Sequence, residues 1–204
     1  MSSLGFLSPD HARSDLGFAP LLKSSMERRQ RDAGASFAER DGWLVSVSLP
    51  NEHEHLAHAA VVDLSHLAKT EVLGQIPASV VGETARHRIT DDKAIVLCPF
   101  GQGAAVRARL QERGAAVLDV TAALSILAVV GPEAPAVMRR VTHLPSFPAS
   151  GDVSHVTAHV LVRDGGYWIS FPQEYGHYLW EVVVDAAEQF GGGAAGVDAL
   201  GALS

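Results

Sequence analysis

The chain has 204 residues, of which 47% are hydrophobic and 19% charged, with a formal net charge of −7. That length serves one large domain or two small ones, and the apolar content excludes a chain dominated by disorder. The acidic balance argues against a broad phosphate-binding surface, so no nucleic-acid partner is expected. The single cysteine, Cys98, follows the apolar run Ala94-Ile95-Val96-Leu97 and reads as a small buried hydrophobe. One cysteine cannot form an internal disulfide framework and fits a reducing compartment. No run of about 18 apolar residues is present, so no membrane span is expected. The start lacks the basic and apolar blocks of a signal peptide, which points to the cytoplasm.

Residues 1–19 mix Ser, Pro, Asp and Gly and read as an N-terminal arm. Pro20 opens an expected helix from Leu21 to Asp32, with Gly34 as its stop. Trp43 to Leu49 alternates as a strand. Asn51 is placed to cap a helix through Leu56 and Ala59. Ala60 to Gly74 reads as two short strands around a polar corner, Asp63, Ser65 and His66, whose side chains favour a turn. A hairpin with a capped corner and a corner facing a pocket both fit that pattern. Residues 75–84 form a loop. Strands follow at Ala85 to Ile89 and Ala94 to Leu97, then a helix from Val106 to Arg113. Ala116 to Val120 and Leu124 to Val130 are strands, and Gly131-Pro132 begins a further helix. Pro145 to Gly151 reads as a linker, and Val153 to Val162 as one long strand. Asp164-Gly165-Gly166 is a hairpin turn before Tyr167 to Phe171. Pro172 opens a helix with Leu179, Trp180 and Val183 on one face, and Gly191 to Gly193 reads as a flexible break. The irregular alternation of strands and helices, with many hairpin turns, predicts an α+β fold of antiparallel sheets with packed helices.

Few residues carry chemistry by spacing alone. His53, His55 and His58 with Glu52 and Glu54 form a polar helix face more readily than a metal site. Gly101-Gln102-Gly103 before a helix lacks the rest of a nucleotide-binding fingerprint. No nucleophile elbow is present. Asp91-Asp92 fits a plain turn. Among carboxylates suited to proton transfer, Asp63 stands out, framed by apolar strands, with Asp164 as a second.

Four stretches resemble the glycine-cleavage T-protein family of aminomethyltransferases and related folate-binding proteins. They are RRQRDAGASFAERDGW (Arg28–Trp43), NEHEHLAHAAVVDLSHLAKTEVLG (Asn51–Gly74), ALSILAVVGPEAPAVMRRV (Ala123–Val141) and DGGYWISFPQEYGHYLWEVVVDA (Asp164–Ala186). Within the second, DLSHLAKTEVLG is similar to the family wording FDVSHMGKIEVSG. The stretches keep the family's order over nearly the whole chain. The resemblance implies a folate-binding domain of the aminomethyltransferase type over residues 20–204. It would consist of two intertwined subdomains, with the linker near 145–151.

The departures from the family are as informative. The family's Gly-Gly and Val-Asp-Asp segment, whose Asp is thought to hold the folate, has no counterpart between Gly74 and Asp91. Asp164 aligns with the family's Glu before the D-G-Y triplet, and Trp168 replaces the Glu after its tyrosine. The resemblance also implies a form lacking the family's C-terminal barrel domain. In these losses the chain is similar to the gamma subunit of heterotetrameric sarcosine oxidase, which serves beside larger flavoprotein chains. The resemblance therefore implies an accessory subunit in one-carbon metabolism, with larger flavoprotein subunits as partners and flavin present only through them. The alternative is a stand-alone tetrahydrofolate-dependent aminomethyltransferase or folate-binding module. Under either reading, Asp63, Asp164, Tyr167 and Trp168 are the expected tetrahydrofolate-binding residues and no catalytic residue is assigned. Trp43 is a further stacking candidate, although core packing suits Trp43 and Trp180.

Overall fold

The computed structural model describes residues 20–74, 85–163 and 165–203. The expected arm 1–19, the loop 75–84 and Asp164 lie outside the described residues. Thirteen strands are described: β1 Leu22–Lys23, β2 Ser36–Arg40, β3 Trp43–Ser48, β4 Ala60–Asp63, β5 Ala68–Leu73, β6 Ala85–Arg88, β7 Lys93–Cys98, β8 Ala116–Asp119, β9 Leu124–Val130, β10 Ala149–Val153, β11 Val156–Arg163, β12 Gly166–Pro172 and β13 Gly193–Ala195. The helices are α1 Glu27–Asp32, α2 Glu52–Leu56, α3 Gly103–Glu112, α4 Ala134–Val141 and α5 Gly176–Glu188.

The strands form three sheets: β1-β3-β2, the six-stranded β10-β11-β12-β9-β4-β13, and the four-stranded β6-β7-β5-β8. Apart from β1 with β3 and β13 with β4, every pairing is antiparallel. The expected α+β architecture with antiparallel sheets is the one observed. One face of the large sheet packs on α4 and α5 through Leu127, Val129, Ile169, Phe171, Val137, Leu179 and Val183. Its other face meets the small sheet through Ile126, Ala128, Leu161, Trp168, Ile95 and Leu97. The far side of the small sheet is covered by Val106 and Leu110 of α3. Helix, sheet, sheet and helix are therefore stacked in four layers. A strand covered on both faces needs apolar side chains at every position, which is why β9 reads ILAVV without alternation.

Several elements differ from the sequence reading. The stretch after Pro20 is a short strand and a late helix, because Leu22 and Lys23 pair with Trp43 and Leu44. Asn51 adopts a left-handed conformation (φ 60°) and its side chain caps nothing; its carbonyl accepts from the Glu54 and His55 amides instead. The segment 145–151 runs into β10, an edge strand of the large sheet, where Gly151 pairs with Ala158. The expected long strand from Val153 breaks at Ser154 and His155, both with positive φ, to form the β10–β11 turn. Gly193 to Ala195 is no flexible break. It is a buried edge strand beside Ala60, Val61 and Val62. A Cβ at Gly192 would sit 2.0 Å from the Ala59 carbonyl oxygen, and one at Gly196 2.1 Å from that of Val47, so close backbone approach dictates glycine there.

The largest difference concerns β4 and β5. They do not form a hairpin. β4 pairs with β9 and β13 in the large sheet, while β5 pairs with β7 and β8 in the small one. The Leu64–Leu67 corner thus carries the chain from one sheet to the other.

Candidate functional site

β4 delivers Asp63 at its end, where it pairs with Leu127, and the chain then turns at once. The turn is made locally. The Asp63 carboxylate accepts from the Ser65 amide at 2.9 Å, an Asx-type closure. The Leu67 amide donates to the Leu64 carbonyl at 3.0 Å. The Ser65 hydroxyl accepts from the Ile126 amide at 3.1 Å, tying the corner to β9. The second Asp63 oxygen accepts from the Gln30 side-chain amide at 2.8 Å. Asp63 is 7% exposed and Gln30 2%, so a carboxylate is held below the surface by two neutral donors.

Beneath the corner lies Lys69, fully buried. Its ammonium donates to the Ser65 carbonyl at 2.7 Å and the Leu67 carbonyl at 2.9 Å. It also lies 5.9 Å from the centre of the Trp43 ring, on its face. Burial pulls the Lys69 amine down to about 7, and the carboxylates of Asp63 and Asp119 resist that fall. His66 is also held below its usual range, first by burial, while Asp63 pulls it upward and Lys69 pushes it down.

Asp63, His66, Trp43, Ser46 and Ser24 line a cleft with about 10 Å³ of free space. That is room for about one water molecule, far below the roughly 300 Å³ of a typical small-molecule pocket. The Trp43 indole nitrogen and the Ser46 hydroxyl are buried without a hydrogen-bond partner among the described residues. Two residues with an unpartnered buried donor, Trp43 and Ser46, thus line the same cleft as Asp63. Ser25, next along the chain, lines a wider groove of about 340 Å³ with Gln173, Glu174 and His177.

The sequence-expected residues are not brought together. Trp168 pairs with Ala128 and is 9% exposed, packed between the two sheets beneath the Arg163 guanidinium. Tyr167 points to the opposite face, where its ring meets Phe147 edge-on at 5.1 Å. β11 and β12 begin pairing at Arg163 and Gly166, near the Ala60–Val130 end of β4 and β9 and not the Asp63 end. Of Asp63, Tyr167 and Trp168, Asp63 alone lines the cleft, where Trp43, the further stacking candidate, joins it. The sequence reading missed Lys69, Gln30 and Ser46. Lys69 carried a signal, a cation inside the strand run LAKTEVL, but nothing local told its burial from exposure. Gln30 has no local signal because it lies 33 residues from Asp63. Of the helix histidines, His55 bonds the Ala194 carbonyl at 2.7 Å, a contact that ties α2 to β13. Among the described residues no group of three or more His, Cys, Asp or Glu side chains is placed to hold a metal.

No family model matches the chain. An aminomethyltransferase of Mycobacterium avium (strain 104) is 29% identical over 230 aligned residues, covering 91% of this chain and 62% of that protein. One from Mycobacterium leprae (strain TN) is 26% identical over 227, covering 90% and 62%. Both alignments are longer than the 204 residues here, so the relatives carry residues inside the matched region that this chain lacks. The glycine cleavage system aminomethyltransferase T from Bartonella henselae superposes with a TM-score of 0.70 at 20% identity, over 90% of this chain and 62% of that one. A chain of heterotetrameric sarcosine oxidase from Corynebacterium sp. U-96 superposes with a TM-score of 0.60 at 12% identity, over 82% of this chain and 95% of that one. The chain spans 62% of the length of the curated relatives it matches. Over the matched residues it has the aminomethyltransferase fold.

Proposed function

We propose that this short chain of aminomethyltransferase type is an accessory, gamma-type subunit of a sarcosine oxidase-like flavoenzyme in tetrahydrofolate one-carbon metabolism. The observation that carries the reading is the superposition on a chain of heterotetrameric sarcosine oxidase, with a TM-score of 0.60 over 82% of this chain. The closed cleft supports it: among the described residues, about 10 Å³ beside Asp63 leaves no space for a pterin in that cleft. In this reading residues 20–204 form one unit of two intertwined subdomains, larger flavoprotein subunits are the partners, and flavin enters only with them. The setting is cytoplasmic; among the described residues no helix is long and apolar enough to cross a membrane.

The test is co-purification from the native cell, with mass spectrometry and an absorbance scan. A stoichiometric flavoprotein partner is the expected result. A purified chain that alone makes methylenetetrahydrofolate from an aminomethyl donor overturns the proposal.

The second reading is a stand-alone tetrahydrofolate-dependent aminomethyltransferase or folate-binding module. The buried Asp63, in a cleft also lined by Trp43 and Ser46, favours it. Asp63 is then the primary tetrahydrofolate contact, with Asp164, Tyr167 and Trp168 as the remaining members of the set. An Asp63→Asn variant that keeps full activity or affinity removes Asp63 from that role.

A further inference from the structure

We propose that Lys69 is the positioning residue of the cleft: its side-chain amine holds the Leu64–Leu67 corner in the conformation that presents Asp63 and His66 to one space. The inference rests on the reading that this cleft is the ligand-facing part of the chain. The backbone of Lys69 is anchored independently of its side chain. Its amide donates to the Thr121 hydroxyl at 3.0 Å, and its carbonyl accepts from the Val120 amide at 2.9 Å. From that fixed point the side chain runs back under the corner to the carbonyls four and two residues earlier. Packing alone at a fully buried strand position asks for a methionine or leucine, because burying an amine costs free energy unless it is bonded. The two carbonyl bonds are what a lysine supplies there and a hydrocarbon does not.

The charged groups around it are compatible with that role. Asp63 faces it from β4 and Asp119 from β8, and Asp119 is itself paired with Arg107 of α3 at 2.8 Å. His66 lies within the same field, and the Trp43 ring covers the amine from β3. As pH rises through neutrality the amine loses its charge, and its bonds to the Ser65 and Leu67 carbonyls weaken from charge-assisted to neutral ones.

The experiment compares the full chain with Lys69→Met by NMR. In the variant, exchange of the hydrogen-bonded Leu64, Ser65 and Leu67 amides is expected to speed up roughly tenfold relative to Val129, the worth of about one charge-assisted bond. The His66 titration is expected to move upward, because a neighbouring positive charge is gone. Unchanged corner exchange together with an unchanged His66 titration overturns the inference. If Lys69→Met does not fold, the wild-type chain decides alone. Corner exchange rising faster than that of Val129 between pH 6 and 8.5 supports the role, and a constant ratio overturns it. A parallel tetrahydrofolate titration separates the two readings. Absence of binding in the wild type removes the folate module and leaves the Lys69 result standing or falling by exchange and His66.

Discussion

Two polar clusters lie where layers meet, one buried and one part-exposed, and they handle charge in opposite ways. At the corner, Asp63 and Lys69 are both ionisable, both buried, and each surrounded by groups that bond its charged form. At the junction of the two sheets, His87 of β6 and Ser150 of β10 are 3.2 Å apart, and Ser150 is 2.7 Å from His159 of β11. Neutral imidazoles satisfy that chain in either direction, one ring donating to the Ser150 hydroxyl and that hydroxyl donating to the other ring. The rings lie 5.5 Å apart. Burial, then the His87 and Lys93 charges, depress His159 to about 4, and burial lowers His87. The difference shows where an enclosed charge is tolerated. The corner surrounds its charges with opposite charge and backbone dipoles, whereas the junction sets two basic rings against each other and excludes the proton.

The sharpest way to break that comparison is to remove one partner from the corner. Asp63→Ala leaves the Gln30 and Ser65 donors unpaired beside a buried amine. It is expected to cost about 3 kcal/mol in urea unfolding at pH 7, with unchanged m-value. A loss below about 1 kcal/mol shows that water compensates and that the corner carboxylate is dispensable for stability.

The junction is probed by acid. His159 is neutral in the fold below the pH at which it protonates in the unfolded chain. The unfolded state therefore binds the extra proton first, and stability falls as pH drops from about 6.5 toward 4. Discounted for partial exposure, the loss is about 1–2 kcal/mol by pH 4.5. His159→Gln is expected to flatten that part of the profile. An unaltered profile in the variant refutes the neutral-pair description.

Ser150→Ala removes the bridge between the two rings. It is expected to cost about 1 kcal/mol and to shift the His87 and His159 titrations when followed by NMR. The smallest effect is expected at the rim of the corner. Arg107→Ala breaks a part-exposed pair with Asp119 and is expected to change stability by about 0.5 kcal/mol, with greater sensitivity to Lys69 protonation as the sharper readout.

Much of the fold was legible along the chain. β3, β7, β9 and α3 to α5 follow from local patterns, because apolar periodicity and glycine or proline punctuation act within a few residues. The sequence reading did not include β2 or the Asp41-Gly42 turn, with φ values of 50° and 80°, that joins it to β3. The corner shows the limit. Its turn residues could be read from Asp63 and Ser65, and its exposure to a cleft was one of two readings. That β4 and β5 enter different sheets could not be read, since both alternatives bury the same apolar residues.

Residue type and order alone fix the α+β class, the antiparallel bias and the aminomethyltransferase resemblance. Only the tertiary structure decided that Lys69 is buried, that Gln30 reaches Asp63 from α1, that Gly193 to Ala195 closes the large sheet, and that Tyr167 and Trp168 face opposite ways into different cores. Each of these depends on contacts between segments far apart in the chain, and the free energy of burying or pairing a side chain is set by its neighbours in space.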